Sequence, residues 1–432
     1  MPKFSGIDAS LIAAFSGKSF VESGGGIATQ TPTTDSGILY CPRNLGTYGP
    51  ISKAEFAPYS QNFHMEQLST ITGVVDMQYG YYNWWVLTSN GNLYVGGWSL
   101  PTYLGVSSTD ANDAINNGGL KLTQTGVSSF AVHNGGAFCI KSGELYWTGY
   151  VGSYLDATGT GAGTNSSNYS WTQVGSDTDW YDIVAYASYP YQAIAIKGSS
   201  GSRYLYACGA NANYGTGQGT TSGNIYSWTR VKSAAATDLT ESFEKVALSY
   251  SGVLAVTEGA TGGKLFSFGE NGYGTLGDGT TTDKPYATQV GTDTDWTDCW
   301  IQRFGSFAMK YDGTMYMSTS RNSWNIEPSI TKYFTQIGTD TDYEDIRVNS
   351  EDSGGNGYLV FAKKNGAWYL SQGTAYTDGW AGEGYKAATV SDTWVAINDY
   401  LLENTITGTI DYILPVESHL TQNTLGVMFA VS

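Results

Sequence analysis

The residues Ser306-Phe-Ala-Met-Lys-Tyr-Asp-Gly-Thr-Met-Tyr-Met317 alternate between apolar and polar side chains on both sides of an Asp-Gly pair. Alternation with a period of two is typical of strands with one buried face. An Asp-Gly pair suits a tight hairpin turn, because glycine adopts a positive φ at little cost. This stretch therefore predicts a β-hairpin, and Trp84–Val95 predicts another around Asn90-Gly91.

The second arm of this hairpin recurs along the chain as a short motif that ends in Tyr or Phe. The motif reads Gly37-Ile-Leu-Tyr40, Gly91-Asn-Leu-Tyr94, Gly143-Glu-Leu-Tyr146, Arg203-Tyr-Leu-Tyr206, Gly263-Lys-Leu-Phe266, Gly313-Thr-Met-Tyr316 and Gly366-Ala-Trp-Tyr369. The closing aromatics are 54, 52, 60, 60, 50 and 53 residues apart. Further strand candidates precede and follow most hairpins. Four strands in about 50 residues are typical of a propeller blade.

The two chain ends supply the remaining strand candidates. Six complete units run from about Val74 to Thr393. We expect Gly26–Gln30, Ile38–Tyr40 and Gln67–Thr70 to join Trp394–Asn398 in a seventh blade that closes the ring, because closure removes two unpaired strand edges. The expected divisions are an N-terminal anchoring segment (1–25), an all-β seven-bladed propeller (26–398) and a C-terminal β tail for docking (399–432).

One glycine-rich segment resembles a known family. Phe268-Gly-Glu-Asn-Gly-Tyr-Gly-Thr-Leu-Gly-Asp-Gly-Thr280 is similar to the repeat of the regulator of chromosome condensation family, roughly W-G-x-N-x-x-G-Q-L-G-x-G. Weaker echoes are Cys208–Gly219 and Cys41–Gly49. The resemblance implies a seven-bladed propeller in which the glycines permit left-handed turns and close passage of the loop. The family includes a small-GTPase exchange factor, ubiquitin-ligase modules and a secreted β-lactamase inhibitor, so it does not select a function.

The N-terminal segment carries a second resemblance. Phe4–Phe20, Phe-Ser-Gly-Ile-Asp-Ala-Ser-Leu-Ile-Ala-Ala-Phe-Ser-Gly-Lys-Ser-Phe, is similar to leader segments of tailed-phage virion proteins. The abundance of Thr, Ser, Asn, Gly and Tyr also resembles phage fibres and adhesins. This resemblance implies an extracellular virion particle as the location, and a secreted or cell-surface protein is the alternative.

Composition excludes several partners. The chain has 432 residues, with 38 acidic and 21 basic side chains and a formal net charge of −17. Nucleic-acid binders cluster Lys and Arg, and anionic membranes also attract basic segments, so neither partner is expected. No run of about 18 apolar residues is available to cross a bilayer. The N-terminus is a poor match to a signal peptide.

The sequence also lacks recognisable catalytic phrases. His64, His133 and His419 stand in no nucleophile or zinc motif, and Cys41, Cys139, Cys208 and Cys299 form no C-x-x-C pair. We therefore expect neither an enzyme nor a cofactor. A glycan-cleaving carboxylate pair stays open, because the spacing that matters for such a pair is spatial.

Candidate sites come from two residue types. Tyrosines near predicted loops suit stacking on sugars or anchoring of a protein interface, and the ligand-binding candidates are Tyr81, Tyr82, Tyr150, Tyr189, Tyr214 and Tyr273. Three near-copied Asp-Thr-Asp turns offer paired carboxylates, so weak calcium candidates are Asp177, Asp179, Asp293, Asp295, Asp340 and Asp342. The alternative for these turns is local hydrogen bonding, with the following aromatic packed between blades.

Three functions follow from these observations. The first is a non-enzymatic virion attachment or structural protein that binds other virion proteins through a terminal segment, within an oligomeric assembly, and presents the propeller to subunits or a host-surface glycan. The alternative is a bacterial protein-binding or inhibitor module that receives a basic protein through its acidic face. The third is a glycan-binding or glycan-cleaving protein.

Overall fold

The computed structural model describes thirteen ranges of the chain. They are 38–42, 65–67, 73–79, 83–97, 121–133, 136–149, 168–186, 192–319, 331–348, 360–370, 395–396, 410–417 and 425–431. Nearly all regular elements in these ranges are strands, with one 3₁₀ turn at Ala212–Tyr214. No helix within them has the length and apolar character needed to cross a membrane.

Six four-stranded antiparallel sheets are each built from consecutive strands, and we count these as blades. The first and second blades contain β3 (Val74–Tyr79), β4 (Asn83–Thr88), β5 (Leu93–Gly97), β6 (Lys121–Gln124), β7 (Val127–His133), β8 (Gly136–Lys141), β9 (Glu144–Gly149) and β10 (Asn168–Gln173). The third and fourth contain β11 (Trp180–Ala185), β12 (Gln192–Lys197), β13 (Tyr204–Ala210), β14 (Asn224–Arg230), β17 (Phe243–Ser249), β18 (Gly252–Thr257), β19 (Leu265–Gly269) and β20 (Lys284–Gln289). The fifth and sixth contain β21 (Trp296–Gln302), β22 (Gly305–Lys310), β23 (Met315–Thr319), β24 (Thr331–Gln336), β25 (Tyr343–Val348), β26 (Val360–Lys364), β27 (Ala367–Leu370) and β28 (Val395–Ala396).

The blades confirm the predicted all-β propeller, but the described residues show six of them where seven were predicted. A further sheet joins the chain ends in the order β2 (Met65–Gln67), β1 (Ile38–Pro42), β30 (Leu425–Val431) and β29 (Ile410–Glu417). Its composition differs from the expected closing blade. β28 pairs with β27 and so completes the sixth blade, whereas the C-terminal partner of β1 is β30.

This difference arises because the third and fourth strands of the sixth blade are joined by a long connection. Its fourth strand follows its third after 24 intervening residues, so the pattern of short connections assigned that strand to the next unit. The tail strands β29 and β30 pair with each other along their length and bring the tail into the same sheet as β1. The domain divisions at 25 and 398 stay predictions.

A short insertion links the third and fourth blades. β15 (Lys232–Ala234) and β16 (Thr237–Asp238) pair as a two-stranded sheet. Burial shows why the alanine run Ala234-Ala235-Ala236 forms no helix here. These residues are exposed and have no core to cover, while Val231 and Leu239 on either side are buried.

The hydrophobic core lies mostly between successive blades. In one cluster, Val184 and Ile194 of the third blade pack with Val246, Val253 and Phe268 of the fourth. The second strands are buried nearly throughout, as in β18, where every residue is buried. Such strands are covered on both faces, so they read as continuous apolar runs.

A backbone hydrogen bond recurs where each blade meets the next. The first residue of the recurring Gly-x-Leu-Tyr motif accepts a hydrogen bond through its carbonyl from the amide that opens the following blade. The pairs are Gly91–Val127 at 2.9 Å, Gly143–Trp180 at 2.9 Å, Arg203–Phe243 at 2.8 Å, Gly263–Trp296 at 3.0 Å and Gly313–Tyr343 at 3.2 Å. The repeat therefore marks the junctions between blades as well as the hairpins.

Glycine is required at two of these junctions by close approach. A Cβ added at Gly313, where φ is +78°, would lie 2.3 Å from the carbonyl oxygen of Thr341. A Cβ at Gly143 would lie 2.2 Å from the carbonyl oxygen of Thr178. Thr178 and Thr341 are the central residues of Asp-Thr-Asp turns, so each turn packs directly on the hairpin of the preceding blade.

We expect Gly313→Ala to lower the free energy of unfolding by about 3 kcal/mol, because the new methyl group combines a positive-φ cost with a backbone clash. Gly338→Ala is the matched control. Gly338 also has a positive φ, of +58°, but a Cβ there would meet nothing within 4 Å. Gly338→Ala should therefore lower the free energy of unfolding by only about 1–2 kcal/mol. Urea denaturation measures both losses, and equal values for the two variants would contradict the junction clash.

Candidate binding surfaces

The antiparallel order of each blade sorts its connections between two ends. Turns between second and third strands lie at the same end as the links between blades, as the Gly143–Trp180 and Gly313–Tyr343 bonds show. We call this the turn end. Connections between first and second strands and between third and fourth strands lie at the opposite end, which we call the loop end.

Each Asp-Thr-Asp turn at the turn end binds a lysine. The ammonium group of Lys197 lies 2.7 Å from Asp177 and 3.9 Å from Asp179. Lys310 lies 2.7 Å from Asp293 and 3.1 Å from Asp295. Although burial opposes it, hydrogen bonds to these two carboxylates raise the pKa of Lys310, so the lysine stays charged.

Lys364 repeats this arrangement in the sixth blade, with Asp340 in direct contact and Asp342 at 3.8 Å. We call the three sites at Lys197, Lys310 and Lys364 the lysine clamps. In each site the lysine is the last residue of a second strand and pairs across the sheet with the aromatic residue that follows the turn.

Two aromatic rings complete each lysine clamp. The Lys310 nitrogen lies 5.0 Å from the ring centre of Trp296 and 5.1 Å from that of Tyr316. Lys197 makes the equivalent contacts with Trp180 and Tyr206. Cation–π attraction and burial of the lysine methylenes therefore add to the ion pairs. Tyr206 and Tyr316 are closing aromatics of the recurring motif.

By sequence alone, the aspartates of these turns are weak calcium candidates. In the structure, the positive charge beside them comes from the lysines of the lysine clamps. In the described ranges, no group of three His, Cys, Asp or Glu side chains is arranged to hold a metal ion. Calcium binding by the Asp-Thr-Asp turns stays a prediction.

The lysine clamps leave negative charge facing water. The lysine side chains are only 13–17 % exposed, whereas Asp177, Asp179, Asp293 and Asp295 are about half exposed, at 49–52 %. Asp340 and Asp342 are 45 % and 32 % exposed. We call these six carboxylates the acidic turn face. With two carboxylates and one lysine, each clamp has a net charge of −1, and the carboxylates are its more exposed part.

Of the predicted ligand-binding tyrosines, Tyr214 and Tyr273 lie in loop-end connections. Tyr81, Tyr82, Tyr150 and Tyr189 lie outside the described residues. Tyr214 is half-buried and has a φ of +63°, which is rare for a bulky residue. Tyr273 is also half-buried, and its ring packs edge-on against Phe304 with 4.5 Å between centres.

The sequence did not single out two further residues at the loop end, Tyr250 and Arg303. Tyr250, with a φ of +54°, contacts Tyr186 edge-on at 6.5 Å, and the Arg303 guanidinium lies 4.3 Å from the centre of the Tyr250 ring. Both residues occupy the turn between first and second strands. The sequence signal that could have identified them is an aromatic residue and an arginine at corresponding turns of neighbouring blades.

The glycine-rich segment serves folding. The buried amide of Asn271 donates to Asp278 at 3.0 Å and accepts from the Leu276 amide at 3.0 Å, which closes the loop on itself. A Cβ at Gly277 would lie 2.3 Å from the ring of Phe334 in the next blade. Positive φ values at Gly269, Gly274, Gly277 and Gly279 confirm the expected left-handed turns.

The first strands carry polar residues at one level near the propeller axis. In the first five blades, the first strands of successive blades contact each other, and the first strand of all six blades has a bulge after its first residue. A bulge re-aims the side chain that follows it. The third residues of these strands, which we call the axial tier, are Asp76, Ser129, Asp182, Lys245, Asp298 and Asp345.

Neighbouring members of the axial tier interact across blades. The Ser129 hydroxyl donates to Asp182 at 2.8 Å, and the Lys245 ammonium lies 3.6 Å from Asp298. Arg347 neutralises Asp345 at 2.9 Å. Burial is the main reason that the pKa of Asp182 rises to about 7; hydrogen bonding to Ser129 and the charge of Lys245 oppose this rise.

His133, Cys139, Cys208 and Cys299 are buried. Burial lowers the pKa of His133 to about 4, so its imidazole is neutral at physiological pH. Cys139, Cys208 and Cys299 form no disulfide, and burial raises the pKa of Cys139 and Cys208. Unreactive, buried thiols of this kind serve packing. His64 and His419 lie outside the described residues.

We expect Lys310→Ala to lower the free energy of unfolding by about 1–2 kcal/mol, because it removes ring contacts and leaves two carboxylates side by side. Lys264→Ala is the control. Lys264 is 42 % exposed and lies 3.8 Å from Glu241. Lys264→Ala should therefore lower the free energy of unfolding by less than about 0.5 kcal/mol. Urea denaturation measures the free energy of unfolding of both variants. If Lys310→Ala lowers it no more than Lys264→Ala does, the lysine clamps do not stabilise the fold as argued.

We expect Asp182→Asn to change how stability depends on pH. A folded-state pKa of about 7 lies above the usual unfolded value of about 3.9, so the proton on Asp182 stabilises the fold at low pH. That stability is lost as pH rises through about 7. Relative to Asp182→Asn, the wild type should lose about 3 kcal/mol between pH 5 and pH 8. Urea denaturation at several pH values gives the free energy of unfolding of both proteins. If the two free energies change equally between pH 5 and pH 8, Asp182 does not titrate in this range.

Known proteins resemble this chain in fold. No protein-family model and no curated protein matches the sequence. The crystal structure of human WBSCR16 matches with a TM-score of 0.60 at 12 % identity, over 92 % of this chain and 99 % of that one. Prp20p from Saccharomyces cerevisiae, described with its binding properties to Gsp1p and histones, matches with a TM-score of 0.61 at 12 % identity, over 93 % of each chain.

A third match comes from the crystal structure of Kap60 bound to yeast RCC1 (Prp20). It has a TM-score of 0.63 at 12 % identity and covers 96 % of this chain and 94 % of that one. Identity this low shows the fold alone. The chain is thus an all-β propeller similar in architecture to the regulator of chromosome condensation proteins.

Proposed function

We propose that this chain is a non-enzymatic, protein-binding propeller module whose acidic turn face receives a basic protein segment. The acidic turn face carries this proposal. Its carboxylates are exposed at three lysine clamps, while the neutralising lysines lie beneath them against aromatic rings. A partner therefore meets carboxylates before it meets any of these lysines.

The charge of the whole chain supports a basic partner. At −17, the protein attracts a positively charged protein over distances comparable to the screening length of the solvent. Such attraction mainly speeds association and selects against acidic partners. The rigid placement of the turns supports specificity, because each is fixed by the preceding blade.

The comparisons support a binding role in general terms. Prp20p is described with its binding to Gsp1p and histones, and RCC1 (Prp20) is seen with Kap60. These partners belong to those proteins. What this chain shares with them is a propeller fold, which presents loops and turns on a stable scaffold.

We also infer that the chain-end sheet closes the ring as a seventh blade. β29 contacts β3 of the first blade and β25 and β27 of the sixth. Its pairing with β30 has the same bulge after the first residue as the six first strands. Leu39→Cys with Ala430→Cys, which are paired positions, should form a disulfide on oxidation, and an uncrosslinked product would count against this sheet.

The virion role has no support from the fold or the comparisons. Its main motivation, residues 4–20, lies outside the described residues. Binding to virion proteins or a host glycan, assembly into an oligomer, and a virion, secreted or cell-surface location all stay predictions.

The binding test uses a synthetic peptide rich in lysine and arginine. We expect the triple variant Asp177→Asn, Asp293→Asn, Asp340→Asn to bind it about tenfold more weakly than wild type, because one carboxylate is lost from each lysine clamp. The salt dependence of Kd should also become shallower. Isothermal titration calorimetry at low and physiological salt measures both effects.

Tyr214→Ala, at the loop end, is the control and should leave Kd unchanged. Melting temperatures verify that every variant is folded. Unchanged binding by the triple variant, or an equal loss in Tyr214→Ala, would reject the acidic turn face as the binding surface.

A further inference from the structure

One exposed aromatic side chain lies at the turn end. Among the described residues, the large apolar side chains that are most exposed are Leu122, Tyr226, Tyr311 and Tyr333. Leu122, Tyr226 and Tyr333 belong to fourth strands at the outer rim. Tyr311 is 61 % exposed and occupies the turn between β22 and β23, immediately after Lys310 of a lysine clamp.

In the described part of the chain, the structural contribution of Tyr311 comes from its backbone. Its backbone amide donates to the carbonyl of Asp295 at 2.8 Å, which fixes the turn, while most of its side chain is open to solvent. Tyr333 differs in this respect, because a Cβ at Gly279 would lie 2.2 Å from its ring. Exposure of a large ring without a packing role is typical of binding surfaces.

The corresponding position in other blades is small or polar. The residue after Lys141 is Ser142, the residue after Lys197 is Gly198, and the residue after Lys364 is Asn365. An aromatic residue after the lysine is therefore not a shared feature of these turns. Tyr311 makes the fifth-blade turn different from the other two lysine clamps.

Carboxylates lie close to Tyr311 in the chain and belong to the same turn. Asp312 follows it, and Asp293 and Asp295 belong to the lysine clamp at the same turn. The Thr314 hydroxyl and amide donate to Asp312 at 2.6 Å and 3.0 Å, and these bonds lower the pKa of Asp312, so it is ionised at neutral pH. An aromatic face beside ionised carboxylates attracts a cation by cation–π and Coulomb interactions together.

The lysine clamp below shows the same chemistry within the protein. Lys310 is held by Asp293 and Asp295 and by the rings of Trp296 and Tyr316. Tyr311 follows Lys310 in the chain, its backbone amide bonds to Asp295, and its side chain is exposed, so it adds an accessible ring at the same turn. An arginine suits this position, since its planar guanidinium stacks on aromatic faces and binds carboxylates.

We propose that Tyr311 is the anchor of the acidic turn face and stacks an arginine side chain of the basic partner segment. This inference rests on the proposed function and adds the residue that contributes most to affinity. Tyrosine and arginine are the residues most often found at such energetic centres of interfaces.

The test compares two synthetic peptides with wild type and four variants. One peptide is rich in lysine with a central arginine, and in the other citrulline replaces that arginine, which removes the charge with little change of shape. We expect wild type to bind the arginine peptide about tenfold more tightly, and Tyr311→Ala to lose this preference. Tyr311→Phe should keep it, because the ring persists.

Tyr226→Ala removes an exposed tyrosine from the rim and should behave as wild type. The triple aspartate variant should weaken binding of both peptides, which separates the acidic turn face from its anchor. Calorimetric Kd values and melting temperatures are measured for all proteins. Because Tyr311 is exposed, its variants should melt with the wild type.

An unchanged arginine preference in Tyr311→Ala, with binding still dependent on the three aspartates, would overturn the anchor and leave the proposed function standing. Binding of neither peptide by wild type would overturn both. An equal loss in Tyr226→Ala would also overturn the anchor, because any exposed tyrosine would then suffice.

Discussion

The hydrogen bond from the opening amide of one blade to the hairpin carbonyl of the preceding blade is the constraint on which this structure depends. At Gly143 and Gly313 it brings two backbones so close that a single methyl group would collide with the next turn. Such contacts hold successive sheets at a fixed spacing, so the apolar residues between them can pack. The hydrophobic core is thus organised by a polar backbone contact at its edge.

The same contact determines the chemistry of the turn end. Each Asp-Thr-Asp turn packs against the preceding hairpin, and this contact holds its carboxylates beside the lysine that ends the second strand. Lys197 and Lys310 then lie between carboxylates and rings, and the outward surface keeps a negative excess. The proposed binding surface is therefore a by-product of how blades join. Only Tyr311 adds a group that the junction does not need.

Local patterns predicted much of the fold. Alternation around Asp312-Gly313 and the recurring motif identify the hairpins, and the glycine-rich segment after Phe268 identifies a loop whose turns the structure confirms. The closing strands were assigned wrongly, because β27 and its partner β28 are separated by a long connection that carries no pairing signal. Sheet partners that are far apart in the chain are invisible to a local pattern.

The candidate sites were harder to predict for a related reason. Spacing showed pairs of aspartates, but the lysine that binds Asp293 lies 17 residues further along and faces it only across a strand pair. The axial tier was missed because each strand contributes one member, and a bulge just before that member interrupts the alternation. Exposure of Tyr311 depends on what its neighbours leave uncovered, which composition does not report.

The bulge shared by the first strands has a consequence for how this propeller can change. It presents one side chain per blade at the axis with the same backbone pairing, whether that residue is Asp182, Ser129 or Lys245. The identity of the residue is thereby uncoupled from the scaffold that holds it. The polarity around the axis can therefore change by one substitution per blade without redesign of a strand, and each substitution also alters the contact with the member on the neighbouring blade, as between Ser129 and Asp182.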